Sequence, residues 1–242
     1  VLNQDNNSVT AFDAVTNERL AEIPVGAAPR AIAMAGNALL WITNKLSSSI
    51  SVINPDTLSV VRTIPLPRAS MPFGVAVSPS TGDAYVALEA TGQVLRLDTT
   101  TFAQTAAMDV GPNPRHLSIT ADGAMMLVSR FITPPLPGES TATVNTPDDA
   151  GGEVLMVNPA SMSLVRTVTL RHSNKPDFEN QGRGIPNYLG AAVISPDGSH
   201  AWVPSKQDNV KRGALRDGTG LNFQNTVRAI SSRIVLASGL ED

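Results

Sequence analysis

One pattern recurs along the chain at intervals of a little over forty residues, and it constrains the fold before any single motif is weighed. Ser8-Val9-Thr10-Ala11-Phe12-Asp13-Ala14-Val15-Thr16 aligns with Ile50-Ser51-Val52-Ile53-Asn54-Pro55-Asp56-Thr57. Both align with Val94-Leu95-Arg96-Leu97-Asp98-Thr99-Thr100-Thr101 and with Val154-Leu155-Met156-Val157-Asn158-Pro159-Ala160-Ser161. Each copy is an alternating apolar run, which reads as a half-buried strand. It ends in Asp or Asn, whose side chain can accept bonds from backbone N–H groups just ahead and so close a turn. A fifth copy, Ser232-Arg233-Ile234-Val235, has Val235 at that position, so its turn must close by other means.

A second anchor lies upstream of the runs: Trp41-Ile42-Thr43-Asn44, Tyr85-Val86-Ala87-Leu88, Leu127-Val128-Ser129-Arg130 and Trp202-Val203-Pro204-Ser205. Turns such as Ser195-Pro196-Asp197-Gly198 precede most of these, and small-residue strands such as Ala31-Ile32-Ala33-Met34 and Ala191-Ala192-Val193-Ile194 precede the turns. The unit is therefore four antiparallel strands, ending in a more polar outer strand such as Val60-Val61-Arg62-Thr63-Ile64. Four-stranded sheets repeated radially make a β-propeller, so the expected fold class is all-β, a propeller of four-stranded antiparallel blades. Strand by strand, the chain is expected to start late in a second strand and to stop just after a third, giving three full blades and two partial ones. That count suggests part of a longer propeller, of roughly six to eight blades; a compact five-blade arrangement is the rival.

These residues resemble the bacterial and archaeal YVTN-repeat propellers. Trp41-Ile42-Thr43-Asn44 is the nearest copy of that family's strand, and the links Val25-Gly26-x-x-Pro29 and Val110-Gly111-x-x-Pro114 also match it. Pro186-Asn187-Tyr188-Leu189-Gly190 and Trp202 to Asn209 are similar to propeller segments of large exported proteins that also carry a di-haem peroxidase-like c-type cytochrome domain. The resemblance implies a periplasmic, extracellular or cell-surface location in a bacterium and a redox domain as an attached domain or partner. It carries no haem site onto this chain, which has no Cys-x-x-Cys-His.

The Asx positions at 13, 54, 98 and 158 are 41, 44 and 60 residues apart, so the repeat is interrupted. Insertions are expected at about 131–151, 171–188 and 205–225. Loops of that length are commonly functional or disordered. Because consecutive antiparallel strands alternate direction, all three should leave from one side of the disc, where the inner strands also start. Arg30, Arg115 and His116 then fall at the channel mouth. Arg183, Asn187, Tyr188, Lys206, Arg212 and Arg216 join them on the loop face as candidate ligand- or partner-binding residues, with Lys211 a further cation.

Composition excludes several classes. A net charge of −3 with 16% charged residues gives no basic excess for nucleic acid. The absence of cysteine removes disulfides, thiolate catalysis and covalent c-type haem, so no cofactor is expected within the chain. No apolar run is long enough for a membrane-spanning helix. His116, His172 and His200 show no metal-ligand spacing, and no metal is expected. Asp148, Asp149 and Glu153 could offer calcium oxygens but read better as a solvated acidic loop. Trp41, Tyr85 and Trp202 share one repeat position and are expected to pack between blades rather than to stack on sugars.

The leading expectation is a non-catalytic binding or scaffold module whose insertion-bearing face docks a protein partner or attached domain of the c-type cytochrome kind. One alternative is an oxidoreductase or lyase with its site at the channel mouth, His116 acting as acid–base. Another is a structural surface-layer protein.

Overall fold

The computed structural model describes residues 1–36, 38–134, 151–171, 185–208 and 227–242. Among them the regular elements are all strands, gathered into five antiparallel sheets. Sheet 1 holds β1 (Leu2–Asn3), β2 (Ser8–Phe12) and β3 (Arg19–Pro24). Sheet 2 holds β4 (Pro29–Met34), β5 (Leu40–Asn44), β6 (Ser49–Asn54) and β7 (Ser59–Pro65). Sheet 3 holds β8 (Pro72–Val77), β9 (Ala84–Leu88), β10 (Gln93–Leu97) and β11 (Gln104–Asp109). Sheet 4 holds β12 (Pro114–Ile119), β13 (Met126–Arg130), β14 (Gly151–Asn158) and β15 (Ser163–Arg171). Sheet 5 holds β16 (Ile185–Asn187), β17 (Val193–Ile194), β18 (His200–Asp208), β19 (Val227–Val235) and β20 (Leu240–Glu241). In sheets 1 to 4 the strands lie side by side in chain order.

The turn from third to outer strand is made as the repeat predicts. Asp13 Oδ1 accepts from the N–H groups of Val15 and Thr16, both at 2.8 Å. Asn54, Asp98 and Asn158 each cap the two equivalent N–H groups of their own turns. Those backbone bonds hold the Asp13 and Asp98 carboxyls below their ordinary range. In the fifth copy Val235 has no such side chain. The turn keeps the backbone bond found in the first and third copies, Gly239 N–H to Val235 C=O at 2.8 Å, where Asn17 bonds Asp13 and Phe102 bonds Asp98 at 2.9 Å. Gly239 takes the left-handed conformation (φ 63°), which glycine adopts without steric penalty.

The core is divided among the seams between sheets. Val9, Ile23, Ile42 and Ile53 fill the seam between sheets 1 and 2. Trp41, Ile50, Val52, Val86 and Leu95 fill the next, and Tyr85, Val94, Leu117, Val128 and Leu155 the third. Leu127, Val154, Leu170, Leu189, Val203 and Ile234 fill the fourth. Neighbours in one strand serve opposite seams: Trp41 faces sheet 3 while Ile42 faces sheet 1, as the period-two alternation of a strand requires. The inner strands also touch in succession, β4 against β8, β8 against β12 and β12 against β17. Gly74 marks a close approach of β8 to β12, since a Cβ there would lie 2.3 Å from the Arg115 carbonyl oxygen.

Sheet 5 departs from expectation in several ways. Its inner strand is not the single run 191–194. Only Val193–Ile194 pairs there, and Ile185–Asn187, from within the expected second insertion, pairs farther along β18. The third insertion does not begin at 205, because β18 and β19 stay paired out to Asp208 and Val227. The two strands pair over nine residues, and residues 209–226 lie outside the described residues. A short outer strand, β20, also completes the sheet, where the sequence suggested an end just after the third strand. Finally, Trp41 and Tyr85 are fully buried at their seams, but Trp202 is 40% exposed on the outward face of sheet 5. Its expected packing between blades is not met, because no sheet of the described chain covers that face.

Candidate functional site

Each of the three regular inner strands opens with an irregularity after a proline. Pairing skips Arg30 between Pro29 and Ala31, Phe73 and Gly74 between Pro72 and Val75, and Arg115 between Pro114 and His116. Bulges re-aim the side chains they carry. The residue before each proline, Ala28, Met71 or Asn113, is left-handed with φ between 52° and 57°. The second strands end at a matching place. The N–H groups of Lys45, Glu89 and Phe131 donate to the carbonyls of Ala28, Met71 and Asn113 at 3.0, 3.1 and 2.8 Å. Two repeat positions are thus brought to one end of the sheets, and they meet across the seams.

The result is a ladder of alternating cations and aromatic rings. Arg30, Lys45 and Arg115 stand 5.6, 5.4 and 4.8 Å from the Phe73 ring centre. His116 meets the same ring edge-on at 5.2 Å. Arg115 also stacks on Phe131 at 3.3 Å. Phe131 meets Tyr188 edge-on at 5.0 Å, and Lys206 lies 4.7 Å over Tyr188. Each cation–aromatic contact contributes about 0.5–2 kcal/mol, more as the pair is desolvated. Glu89 is the carboxylate of the cluster, held by Lys45 at 2.6 Å and Arg115 at 2.7 Å. Its burial pushes the carboxyl upward, but the hydrogen bonds from Arg115 and Lys45 outweigh that and leave it below its ordinary range. His116 is pushed down by burial first and by Arg115 second, which favours the neutral ring. Arg30, Lys45, Arg115 and Lys206 against Glu89 leave the site positive.

Of the residues expected from sequence, Arg30, Arg115 and His116 do come together, around Phe73. Tyr188 and Lys206 continue the ladder into sheet 5. Asn187 is part of the framework: its Oδ1 accepts from the N–H groups of Thr133 and Tyr188, both at 2.9 Å. Arg183, Lys211, Arg212 and Arg216 lie outside the described residues, as do His172, Asp148 and Asp149. Glu153, weighed as a calcium ligand, is paired with Arg130. His200 contacts Ser199 in the turn beside it, away from the ladder. Among the described residues no group of acidic, histidine or cysteine side chains is arranged to hold a metal. Sequence reasoning missed Lys45, Phe73 and Glu89, and it took Phe131 only as part of an insertion. The available signal was repeat register: Phe73 is the counterpart of Arg30 and Arg115, and Lys45, Glu89 and Phe131 are counterparts of one another.

No protein-family model and no curated protein matches the chain. Solved structures do. Hydrazine synthase of Kuenenia stuttgartiensis superposes with a TM-score of 0.75 at 20% identity, over 98% of this chain and 59% of that one. The dihydro-heme d1 dehydrogenase NirN, in complex with DHE, superposes with a TM-score of 0.59 at 18% identity, over 98% of this chain and 42% of that one. The fold is a β-propeller. At these identities the likeness concerns fold alone, and the chain spans well under two thirds of either structure. In propeller terms the five sheets are blades, and the cation–aromatic ladder runs across blades 2 to 5. Among the described residues no helix is long and apolar enough to cross a membrane.

Proposed function

We propose that this propeller is a binding module, and that the face carrying the ladder docks a protein partner bearing anionic groups. The observation that carries the reading is the ladder itself. Four cations and three aromatic rings, half-buried except for the exposed Tyr188 and Lys206, are braced across blade seams and opposed, among the described residues, by Glu89. Fixed cations and rings of this kind lose little conformational freedom on binding, which favours affinity. The described ends of the three insertions meet at the same place. Phe131 C=O accepts from Leu189 N–H at 3.1 Å, Thr133 N–H reaches Asn187, and β16 pairs with β18. Partner contacts would therefore extend from the ladder onto the ends of β16 and β18.

The partner we favour is a haem-carrying redox domain. NirN, named as a dihydro-heme d1 dehydrogenase, shares the propeller architecture, and the strand motifs resemble propellers joined to c-type cytochromes. The chain has no cysteine for thioether attachment, so a c-type haem would belong to the partner. An exported location is part of the same proposal.

The test uses immobilised wild-type chain and the double variant Arg30→Glu, Lys206→Glu. Extracts of the native source are passed over each, and captured bands are stained for covalent haem. The reading expects a haem-positive band on the wild type that is lost on the variant. The same bands on both, or capture without haem, would sink it.

A further inference from the structure

A second feature lies beside the ladder, between blade 2 and the link that leads to blade 3. The links into β4 and β12 follow Val-Gly-x-x-Pro, but the link into β8 reads Leu66-Pro67-Arg68-Ala69-Ser70-Met71-Pro72 and is two residues longer. The longer link stands off the blade and walls a groove of about 670 Å³ against the β5–β6 connection, Lys45 to Ser48. The walls are tied down. Leu66 N–H donates to Ser48 C=O at 2.9 Å, and Ser70 N–H donates to Pro67 C=O at 3.1 Å. Three non-glycine residues along the groove, Ser48, Ala69 and Met71, hold φ values of 46°, 59° and 52°. Left-handed backbone of this kind persists only where its surroundings enforce it.

The lining combines apolar, hydroxyl (Ser47, Ser48, Ser49 and Thr63) and cationic side chains. Leu46, Leu66, Ala69 and Met71 supply the apolar surface, and Leu46 is 67% exposed. Lys45 and Arg68 supply the charge, and no Asp or Glu lines the groove. Lys45 is already engaged by Glu89. Arg68 is exposed and has no ion pair among the described residues. Its planar fork is suited to a carboxylate, which it can hold through two parallel bonds.

We infer that this groove binds an extended, acidic–apolar segment of a protein partner, with a carboxylate on Arg68 and apolar side chains against Leu46 and Met71. The volume suits a few side chains and not a folded domain, and the charge selects an acidic segment over a basic one. The inference rests on the docking function proposed above and assigns it a second contact, separate from Arg30, Arg115 and Lys206.

Fluorescence polarisation of a labelled short peptide of alternating aspartate and leucine tests it, with lysine–leucine and aspartate–serine peptides as controls. Saturable binding is expected for the first alone. Losing one charge-assisted contact weakens binding on the order of tenfold, so Arg68→Glu should do at least that, and Leu46→Ser should weaken binding too. Both side chains are exposed, so thermal melting should match the wild type. Wild-type affinity in Arg68→Glu, equal binding of the aspartate–serine peptide, or no saturable binding would overturn the inference. The double variant Arg30→Glu, Lys206→Glu leaves the groove intact and should bind the peptide as the wild type does. Its loss of haem-protein capture therefore reports on the ladder, and loss of peptide binding in Arg68→Glu reports on the groove.

Discussion

His116 shows how burial sets the chemistry of a single side chain. Its ring is packed on Phe73 beside Arg115, and its pKa is lowered from the ordinary 6.5. Between the lowered folded value and 6.5, the unfolded chain binds a proton that the folded chain does not. Stability must then fall as pH drops through that window and be fully recovered above it. Glu89 acts lower on the scale. Its folded value is depressed below 4.5, so its contribution is present above that pH and is lost as acid protonates it. Urea denaturation at a series of pH values should show both slopes. His116→Gln should flatten the one just below pH 6.5 and leave the acid limb, while Glu89→Gln should do the reverse. Gly74 is a different kind of residue constraint. A methyl group there would press on the Arg115 carbonyl, backbone that cannot swing aside. Gly74→Ala should destabilise the fold by about 1–3 kcal/mol, read as a lowered melting temperature, and should disturb the ladder because Arg115 sits on the strand that must give way.

At the scale of the strand and its turn, the repeat was legible because the same local physics is used each time. Asp13, Asn54, Asp98 and Asn158 could be named as turn residues from spacing alone, and each caps its own turn. Asn54→Ala removes two backbone donors' acceptor and should cost about 1 kcal/mol; chemical denaturation against the wild type measures it. What spacing could not convey was the bulge. A one-residue skip at Pro29 or Pro114 turns Arg30 or Arg115 out of the sheet, and alternation carries no mark of it. Phe73 was passed over for that reason: as a sequence it is an apolar residue in an apolar strand, yet the bulge makes it the ring on which three cations converge. The irregular inner edge of blade 5 was equally hidden. Ile185–Asn187 is too short to announce itself as a strand, and it exists only because β18 is long enough to pair with it.

Across the whole molecule, the repeat also accounts for the outward face of blade 5. A seam needs an aromatic or apolar side chain from one blade and an apolar partner from the next, as Trp41 shows against Val86 and Leu95. Trp202 repeats the position of Trp41 and Tyr85 on the outward face of blade 5, with Val193 and Leu240 also exposed there. A tryptophan buries about 150–250 Å² when covered, so this face has the surface of a seam, and no described blade covers it. The two tryptophans therefore report on different parts of the assembly, since Trp41 is fully buried and Trp202 is not. Acrylamide quenching of the isolated chain should resolve one protected and one accessible population, and Trp202→Phe should leave only the protected one. If a further blade or a partner packs on blade 5, the accessible population should become protected and shift to the blue, while Trp41 remains unchanged. Quenching of Trp202 that stays unaltered in the full natural assembly would show that the seam chemistry of this face is left unused.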